Sequence, residues 1–469
     1  MPAPVISIAQ MREWENASWA KGKRAEDVIR RVGKAVVETA RRLTQPTDLI
    51  LVLAGRGNNG ADARVTLELL DDRRLDTLDV NDPAADLAEL ETLLTIRPAL
   101  IIDGLFGIGL NRPLDPAWQK FIGAINASKS PVLAVDVPSG LNADTGETFG
   151  AAIEAAVTLT VGTPKIGMLK SSAWPYVGRL EVAREVGLLS DFFTGGENEM
   201  HWTLPEDFKG FPPARPVAGH KGTFGHVGII AGSAGFHGAA VLAARGAQRA
   251  QPGLVTLFTQ ERVYVPVASQ LQAVMVQALP GAGISPEDFS AMLIGPGLAS
   301  PELPDALKQL TRQLWKNFSQ PLVVDASALD WLVSEAIPQN ALRVLTPHPG
   351  EAARLLQTTT TKVQADRLAA LRALSKKFGG CFVVLKGHQT LIGRDAGDLF
   401  VNSSGNPHLA QGGAGDLLGG LLAGLLAQTA LQADPLKTIR YGVWRHGAAA
   451  DWLSATNPNW VVEDLAAAC

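Results

Sequence analysis

A cluster of glycines followed by an acid opens the longest aliphatic stretch of the chain, as Gly412, Gly413, Gly415 and Asp416. This order predicts a tight loop that begins a buried helix, and the free backbone amides of such a loop bind anions. A carboxylate there is useful if it handles a proton beside a phosphate, so Asp416 is a candidate general base. The alternative is a glycine-rich turn in which Asp416 only stabilises the positive end of the helix.

A second glycine-rich segment, at residues 55–62, lies between a predicted strand at 48–54 and a predicted helix at 65–70. Strand, glycine loop and helix together form the phosphate-binding unit of doubly wound folds. The literal G-x-G-x-x-G pattern suggests a dehydrogenase with Asp79 as the ribose acid, but alone it is a weak signal. The polar residues of the segment instead offer oxygens that suit a potassium ion or sugar hydroxyls, and they are Asn58, Asn59 and Asp62.

Two further apolar runs, at 99–103 and 131–136, each end in an aspartate followed by a glycine-bearing turn. The carboxyl ends of neighbouring parallel strands share one crevice, so polar residues at these ends are expected to converge. For any single aspartate, a cap of a turn or helix is the alternative. The residues expected to meet are Asn59, Asp103, Asp136 and Ser139.

The remaining features of the N-terminal half support a parallel sheet. Residues 8–43 have helical spacing of apolar side chains, and a further predicted strand at 157–161 is followed by a basic residue, Lys165. From residue 190 to residue 222 the periodicity fails and prolines and glycines accumulate, which is typical of a linker. This places a domain boundary near residue 205.

After the linker, strands alternate again with helical segments, which predicts a second α/β sheet. His348 lies between two prolines at a strand end, where it is either a site residue or a structural histidine. Lys386 ends another strand before a glycine and suits an anion, unless it is only an exposed strand-terminal lysine. Together with the loop before Asp416, these features indicate a nucleotide and a phosphoryl-related reaction.

Length and composition limit the classes of function. The 469 residues are enough for two or three domains, and a net charge of −4 gives no reason to expect nucleic acid or an anionic membrane surface. The two cysteines, Cys381 and Cys469, imply neither a disulfide framework nor a zinc site. The aliphatic run at 417–427 is too short to span a bilayer, and charges interrupt the N-terminal segment. We therefore expect a cytoplasmic protein without a membrane partner.

The N-terminal motifs AGRGNNGAD, DGLFGIGL, AVDVPSGLNADTG and TVGTPKIG resemble, in order and spacing, the NAD(P)H-hydrate epimerase domain over roughly residues 1–200. The resemblance implies a Rossmann-like fold that interconverts the two C6 epimers of hydrated NADH or NADPH. It also implies a potassium ion (K⁺) held by Asn59, Asp103 and Ser139, with Asp136 as the acid/base group at the nicotinamide. The substrate's phosphates and ribose would contact Asn58, Asn59, Gly60, Asp62, Gly107, Ile108, Gly109 and Leu110.

The first of these motifs departs from the family pattern, which has glycines where Ala61 and Ala63 stand. If either position needs a positive φ, alanine strains the loop by about 1 kcal/mol or more. The departure motivates an alternative, in which the N-terminal half is a degenerate binding or oligomerisation module.

In the C-terminal half, HKGTFGHVGIIAGS, TPHPGE, VLKGHQTLI, NSSGNPHLAQGGAGDLLGG and WRHGAAAD resemble the ribokinase-like NAD(P)H-hydrate dehydratase domain, over roughly residues 215–469. That family dehydrates the (S)-epimer with ADP or ATP, here expected with Mg²⁺. The resemblance implies an α/β/α sandwich without a P-loop, and a substrate near Ala239, Gly297, His348 and Asp416. The nucleotide would contact Lys386, Gly387, His388, Gln389, Thr390, Gly413, Ala414 and Gly415.

By the same resemblance, Asp416 would deprotonate or orient the C6 hydroxyl, and the amides of residues 413–415 would neutralise the transferring phosphoryl group. The family usually has threonine at Ala414, and this change loses a hydroxyl but no backbone amide. The expected protein is an α/β enzyme with an epimerase domain at 1–204 and a dehydratase domain at 205–469. It acts on small molecules and is expected to be a homo-oligomer; the rival function is a ribokinase-type small-molecule kinase.

Overall fold

The computed structural model describes residues 2–193, 199–279, 284–334 and 341–469. The chain divides into two compact units, Ala3–Asn198 and Glu199–Cys469, and both have largely parallel sheets. The α/β class predicted for both halves is confirmed. Within the described residues, no helix combines the length and the apolar character that crossing a bilayer requires.

The N-terminal unit alternates strands and helices in the manner of doubly wound folds. Its strands are β1 (Ala3–Pro4), β2 (Leu49–Ala54), β3 (Arg74–Asp79), β4 (Leu100–Gly104), β5 (Val132–Val135), β6 (Val157–Val161) and β7 (Arg179–Ala183). Its helices are α1 (Ile8–Ala20), α2 (Ala25–Leu43), α3 (Asn58–Leu69), α4 (Leu87–Thr95), α5 (Pro116–Ser128) and α6 (Trp174–Val177).

The strand order β3-β2-β4-β5-β6-β7, with every neighbouring pair parallel, is that of a Rossmann-like sheet. The chain moves outward in one direction from β2 to β3 and then returns to the other side of β2 with β4. A crevice therefore opens between the carboxyl ends of β2 and β4, where ligands bind in this class of sheet.

Helix α3 begins earlier than the sequence pattern predicts. It starts at Asn58 instead of residue 65, so most of the predicted glycine loop is its first turn and only residues 55–57 form the connection. Gly60 makes this start possible, because a Cβ atom there would lie 1.9 Å from the carbonyl oxygen of Gly55. The missing side chain lets the helix pack directly against the end of β2.

The C-terminal unit contains the remaining elements. Its strands are β8 (Met200–Trp202), β9 (His226–Ile230), β10 (Leu254–Gln260), β11 (Met275–Leu279), β12 (Ala291–Ile294), β13 (Leu322–Val324), β14 (Arg343–Leu345), β15 (Phe382–Leu385), β16 (Leu391–Gly393) and β17 (Leu399–Val401). Its helices are α7 (His237–Arg249), α8 (Tyr264–Ala268), α9 (Asp305–Asn317), α10 (Pro349–Leu356), α11 (Thr360–Ala365), α12 (Arg367–Lys377), α13 (Ala414–Leu426), α14 (Thr429–Gln432), α15 (Pro435–Thr456) and α16 (Val462–Ala468).

These strands are ordered β8-β17-β16-β15-β14-β13-β12-β9-β10-β11, parallel from β11 to β15 and antiparallel at β15-β16 and β16-β17. The architecture is the ribokinase-like α/β/α sandwich expected from the sequence. Strand β8 lies inside the segment interpreted as a linker and pairs with β17. The sheet of the C-terminal unit therefore includes residues that precede position 205, where the domain boundary is predicted. The boundary itself stays a prediction.

Helix α13 lies at the centre of this unit, and all its residues from Leu417 to Leu426 are buried. It packs closely on α7, because a Cβ atom at Gly420 would lie 1.9 Å from the carbonyl oxygen of Ala243. The helix begins after Gly413, whose φ of 98° lies in the left-handed region. The predicted tight loop before a buried helix is thus present, and a glycine inside the helix allows its close packing on α7.

Candidate active sites

The N-terminal unit contains a cavity of about 760 Å³ at the crevice between β2 and β4. The loops after these strands line it, together with side chains from α1 and α2. Of the predicted substrate-binding residues, those that line the cavity are Asn58, Asn59, Asp62, Gly107, Ile108, Gly109 and Leu110. Gly60 is buried behind them against Gly55, where it shapes the helix start. Asp136 also lines the cavity.

Asp136 is held at the end of β5 by an unusual set of contacts. Its φ of 65° places this aspartate in the left-handed region. The Oδ1 atom of Asp136 accepts hydrogen bonds from the backbone amide of Val161 at 3.0 Å and from the Nζ atom of Lys165 at 2.5 Å. The Lys165 side chain is fully buried, and its Nζ atom also donates to the carbonyl oxygen of Val161 at 2.9 Å. A buried lysine therefore anchors the candidate acid/base group.

The three predicted potassium ligands lie close to one another beside this pair. The hydroxyl of Ser139 donates to Oδ1 of Asp103 at 2.6 Å and accepts from the amide of Phe106 at 2.8 Å. The side-chain amide of Asn59 donates to the carbonyl oxygens of Phe106 and Val135, at 2.9 and 2.6 Å. The cluster is thus rich in oxygen atoms and contains one carboxylate.

The Asp103 carboxylate is fully buried, and burial raises its pKa to about 6 although the hydrogen bonds from Ser139 oppose the shift. A cation in this cluster would offset the cost of that burial. A single carboxylate among neutral oxygens suits a monovalent ion, because a divalent metal site usually supplies more charge.

Two more acids lie in the cavity, and neither was assigned this environment from the sequence. Burial raises the pKa of Asp62 to about 8, and the charges of Asp136 and Glu15 add to the shift. Burial and the charge of Asp136 likewise raise the pKa of Glu15. Glu15 comes from α1, over a hundred residues away from Asp136 in the chain. No local sequence pattern could connect the two.

The alanines that replace the family's glycines are accommodated without strain. Ala61 and Ala63 lie inside α3, and neither has a positive φ. Ala63 is fully buried in the core beneath the sheet. The strain expected if either position needed a positive φ does not arise. Asp79, the ribose acid of the dehydrogenase hypothesis, is instead exposed and paired with Arg64 at 2.8 Å.

The C-terminal unit has a cavity of about 410 Å³ at the start of α13. Most of the predicted nucleotide-binding residues line it: Lys386, Gly387, His388, Gln389, Thr390, Ala414 and Gly415. Residues from 402 to 410 form another wall, and α15 contributes Val443, His446 and Gly447. Gly413 caps the helix next to this wall. Segments far apart in sequence thus enclose one space, and its role as a nucleotide site stays a prediction.

Lys386 lies among carboxylates at the base of this site. Its Nζ atom lies 2.8 Å from Oδ1 of Asp325 and 4.0 Å from Oε2 of Glu351. Burial alone would lower the pKa of Lys386, but these two carboxylates outweigh burial and raise it. Burial raises the pKa of Asp416 to about 7, Asp325 adds to the shift and Lys386 opposes it. Asp416 is therefore poised to exchange a proton near neutral pH.

Two polar residues, the buried Arg367 and the half-buried Asp451, fix the loops around this cavity. The guanidinium of Arg367 donates to the carbonyl oxygens of Leu385 and Lys386, at 3.1 and 3.3 Å, and to that of His388. On the opposite wall, the carboxylate of Asp451 accepts from the backbone amide of Gly405 at 3.0 Å. These contacts preorganise the loops, and sequence patterns did not single out either residue.

His446 supports the glycine loop itself. Its Nε2 atom lies 3.0 Å from the carbonyl oxygen of Ala414, which requires a proton on that nitrogen. Burial lowers the pKa of His446 to about 4, so the ring is neutral at physiological pH.

The predicted substrate residues of this unit, including Asp416, are not among the residues that line the cavity. Ala239 and Gly297 face each other, since a Cβ atom at Gly297 would lie 2.8 Å from that of Ala239. His348 caps α10, and its Nδ1 atom accepts from the amide of Gly350 at 3.0 Å. His348 also lies 3.5 Å from Glu351, the residue that approaches Lys386. Their roles at a substrate stay predictions.

Comparison with known proteins agrees with the families predicted for the two halves of the chain. The family model described as NAD(P)H-hydrate dehydratase matches residues 227–467, and the model described as YjeF-related protein N-terminus matches residues 73–167. The solved structure of a ribokinase-like superfamily protein from Enterococcus faecalis is 28% identical with a TM-score of 0.51, covering 58% of this chain and 94% of that chain.

Among curated proteins, the bifunctional NAD(P)H-hydrate repair enzyme of Coxiella burnetii is 35% identical, covering 94% of this chain and 93% of that protein. The corresponding enzyme of Gloeobacter violaceus is 34% identical, covering 96% of this chain and 94% of that protein. Similarity at this level extends across both units and nearly the full length of each relative. The chain therefore belongs to the family of bifunctional NAD(P)H-hydrate repair enzymes.

Proposed function

We propose that the N-terminal unit epimerises hydrated NADH or NADPH at C6, and that the C-terminal unit dehydrates the (S)-epimer with ADP or ATP. The observation that carries the proposal is the C-terminal constellation of Asp416, Lys386 and the α13 N-terminus. It combines a base, a cation and free backbone amides, which are the three parts that a phosphoryl transfer to a hydroxyl requires.

In this reaction Asp416 takes the proton of the C6 hydroxyl group as the hydroxyl oxygen attacks the terminal phosphate of the nucleotide. The backbone amides of residues 413–415 stabilise the negative charge on the phosphoryl group that is transferred. Lys386 neutralises part of the charge of the nucleotide's phosphates. The C6–O bond then breaks and phosphate leaves, while the lone pair of the ring nitrogen forms a double bond to C6. Loss of a proton from C5 restores the dihydronicotinamide ring.

The cavity beside this constellation suits the nucleotide. Its walls are fixed by Arg367 and Asp451, so little ordering is needed when the ligand binds. Mg²⁺ would be held chiefly by the nucleotide's phosphates, and Asp325 and Glu351 are the nearby carboxylates that offer it oxygen ligands. When bound, the ion would neutralise phosphate charge. Relatives named only as repair enzymes leave the choice between ADP and ATP open.

In the N-terminal unit, Asp136 is the proposed acid/base group, and Lys165 holds its carboxylate. Asn59, Asp103 and Ser139 would hold the potassium ion, whose charge would attract the anionic substrate. Replacing K⁺ by the larger choline ion is expected to slow epimer exchange while the dehydration of (S)-epimer continues. Equal rates of epimer exchange in the two salts would contradict the potassium site.

The decisive experiment uses chemically hydrated NADH, which contains both epimers, and follows the absorbance of NADH as it forms. Complete recovery with ADP or ATP, faster than spontaneous epimerisation allows, requires both activities. Recovery that stops at the (S) fraction would indicate a working dehydratase beside a silent N-terminal unit. No recovery with either nucleotide would instead favour the ribokinase-type kinase. The cytoplasmic location and a homo-oligomeric state stay part of the proposal.

A further inference from the structure

Asp62 occupies a distinctive place in the N-terminal cavity. It lies in the second turn of α3, is only 5% exposed, and lines the same cavity as Asp136. Within the described parts of the chain, no hydrogen-bond donor is found for its carboxyl group. A buried carboxyl group without a donor is costly as an anion and stable as a neutral acid.

The charged groups around Asp62 favour the same protonation state. Burial raises the pKa of Asp62, and the charges of Asp136 and Glu15 raise it further. Among the cationic side chains, Lys165 is paired with Asp136. Three arginines of the cavity lining are exposed to solvent: Arg12, Arg56 and Arg112. Asp136 differs because it has the buried ammonium of Lys165 at 2.5 Å. Two carboxyl groups of one cavity thus have opposite environments, which is how acid and base roles separate.

We propose that Asp62 is a second catalytic residue of the N-terminal site, acting as general acid on the C6 hydroxyl while Asp136 acts as general base. This inference rests on the proposed epimerase function and deepens it. The sequence resemblance implied only that Asp62 contacts the substrate's phosphates or ribose.

Epimerisation at C6 proceeds by loss of the hydroxyl group as water and addition of water to the opposite face. The C6 carbon of the hydrate is bonded to the ring nitrogen N1, so the hydroxyl can leave with help from the nitrogen lone pair. Asp62 gives its proton to the hydroxyl oxygen as the C6–O bond breaks, which releases water and forms an N1=C6 iminium. Water then adds to the other face of C6, the π pair returns to N1, and Asp136 takes the proton of that water. Proton exchange with solvent returns Asp62 and Asp136 to their starting states.

Kinetics of the 469-residue chain with purified (R)-epimer test this assignment. Formation of the (S)-epimer is followed by chromatography in the absence of nucleotide. Asp62→Asn keeps the size of the side chain but removes the acid. We expect kcat for epimerisation to fall about 100-fold or more, with KM changed by less than about threefold. Wild-type kcat/KM is expected to fall above a pH of about 8, where Asp62 loses its proton, and Asp62→Asn should lack this alkaline limb.

Glu15→Gln is the matched variant, because it removes a neighbouring negative charge from the same cavity. Since Glu15 raises the pKa of Asp62, the alkaline limb is expected to move to lower pH in Glu15→Gln. Dehydration of the (S)-epimer by each variant serves as the control for an intact chain, and thermal unfolding monitors the N-terminal unit.

Different outcomes overturn different parts of the inference. An increase in KM with unchanged kcat in Asp62→Asn would assign the residue to substrate binding. An alkaline limb that persists in Asp62→Asn would assign the titration to another group and contradict the acid role. If the wild-type chain does not accelerate epimer exchange at all, the proposed epimerase function fails, and this inference fails with it.

Discussion

The Nζ atom of Lys165 lies 2.5 Å from Oδ1 of Asp136, and together they form a buried ion pair at the end of the N-terminal sheet. The lysine is fully buried and the aspartate side chain is 7% exposed. Because Asp136 has a backbone φ of 65°, its carboxylate is held both by an uncommon backbone conformation and by the ammonium. The pair fixes the candidate base before any substrate binds.

Removing the ammonium is expected to damage both stability and epimerisation. Lys165→Met leaves a buried carboxylate without its partner, which costs about 3–5 kcal/mol in comparable cases. Denaturant unfolding should show this loss, and epimer exchange should fall with it. Lys129→Met is the control, since the ion pair of Lys129 with Glu154 is exposed at 77% and 53%. A similar loss of stability in both variants would contradict the prediction that the buried ion pair contributes more to stability than the exposed one.

Asp416 is expected to control the pH dependence of dehydration. Its pKa is raised to about 7 and the reaction needs the ionised form, so kcat/KM should rise about tenfold per pH unit below that value and level off above it. Asp416→Asn should lower kcat by a factor of about 10² to 10⁴ while epimer exchange continues. Steady-state rates with purified (S)-epimer and ADP measure both effects. If kcat/KM of the wild type did not change with pH below about 7, Asp416 would be excluded as the base.

Neutral His446 is expected to make the C-terminal unit sensitive to acid. Its pKa is lowered to about 4 in the folded chain, so the unfolded chain binds more protons between that value and the ordinary histidine pKa of 6.5. Stability therefore rises with pH across this window and is lost as the pH falls. From pH 7 to pH 5 the loss is about 2 kcal/mol.

The comparison with His446→Gln isolates this contribution, because glutamine can still donate to the carbonyl oxygen of Ala414. Urea unfolding of both chains at the two pH values should give a smaller acid loss in the variant. Equal losses would show that other groups cause the acid sensitivity.

The start of helix α3 can be tested with two glycines of the same segment. Gly60→Ala places a methyl group 1.9 Å from the carbonyl oxygen of Gly55, so the helix must shift, at a cost of about 1–3 kcal/mol. Gly57→Ala meets no atom within 4 Å and is expected to change stability by less than about 1 kcal/mol. Thermal unfolding gives the difference. Equal effects would mean that the helix does not pack on β2 as closely as described.

Much of the architecture follows from local sequence. Apolar runs such as 49–54 and 157–161 are strands because a parallel sheet buries both of its faces, and this pattern is continuous in the chain. The glycines before Asp416 predict the tight start of α13 for the same local reason. Even the convergence of Asp103 and Ser139 can be predicted from the sequence, since the carboxyl ends of parallel strands lie at the same edge of a sheet.

The protonation states and the partners of the site residues depended on the tertiary structure. Glu15 reaches the cavity from α1, and Asp325 at the end of β13 meets Lys386 at the end of β15, although β14 lies between these strands. Sequence spacing carries no record of such contacts, because they arise when distant segments pack. The sequence therefore determined which chemical groups are present and at which edge of the sheet they lie. Only packing decided which carboxyl groups are buried or paired, and burial and pairing are the physical causes that set a pKa.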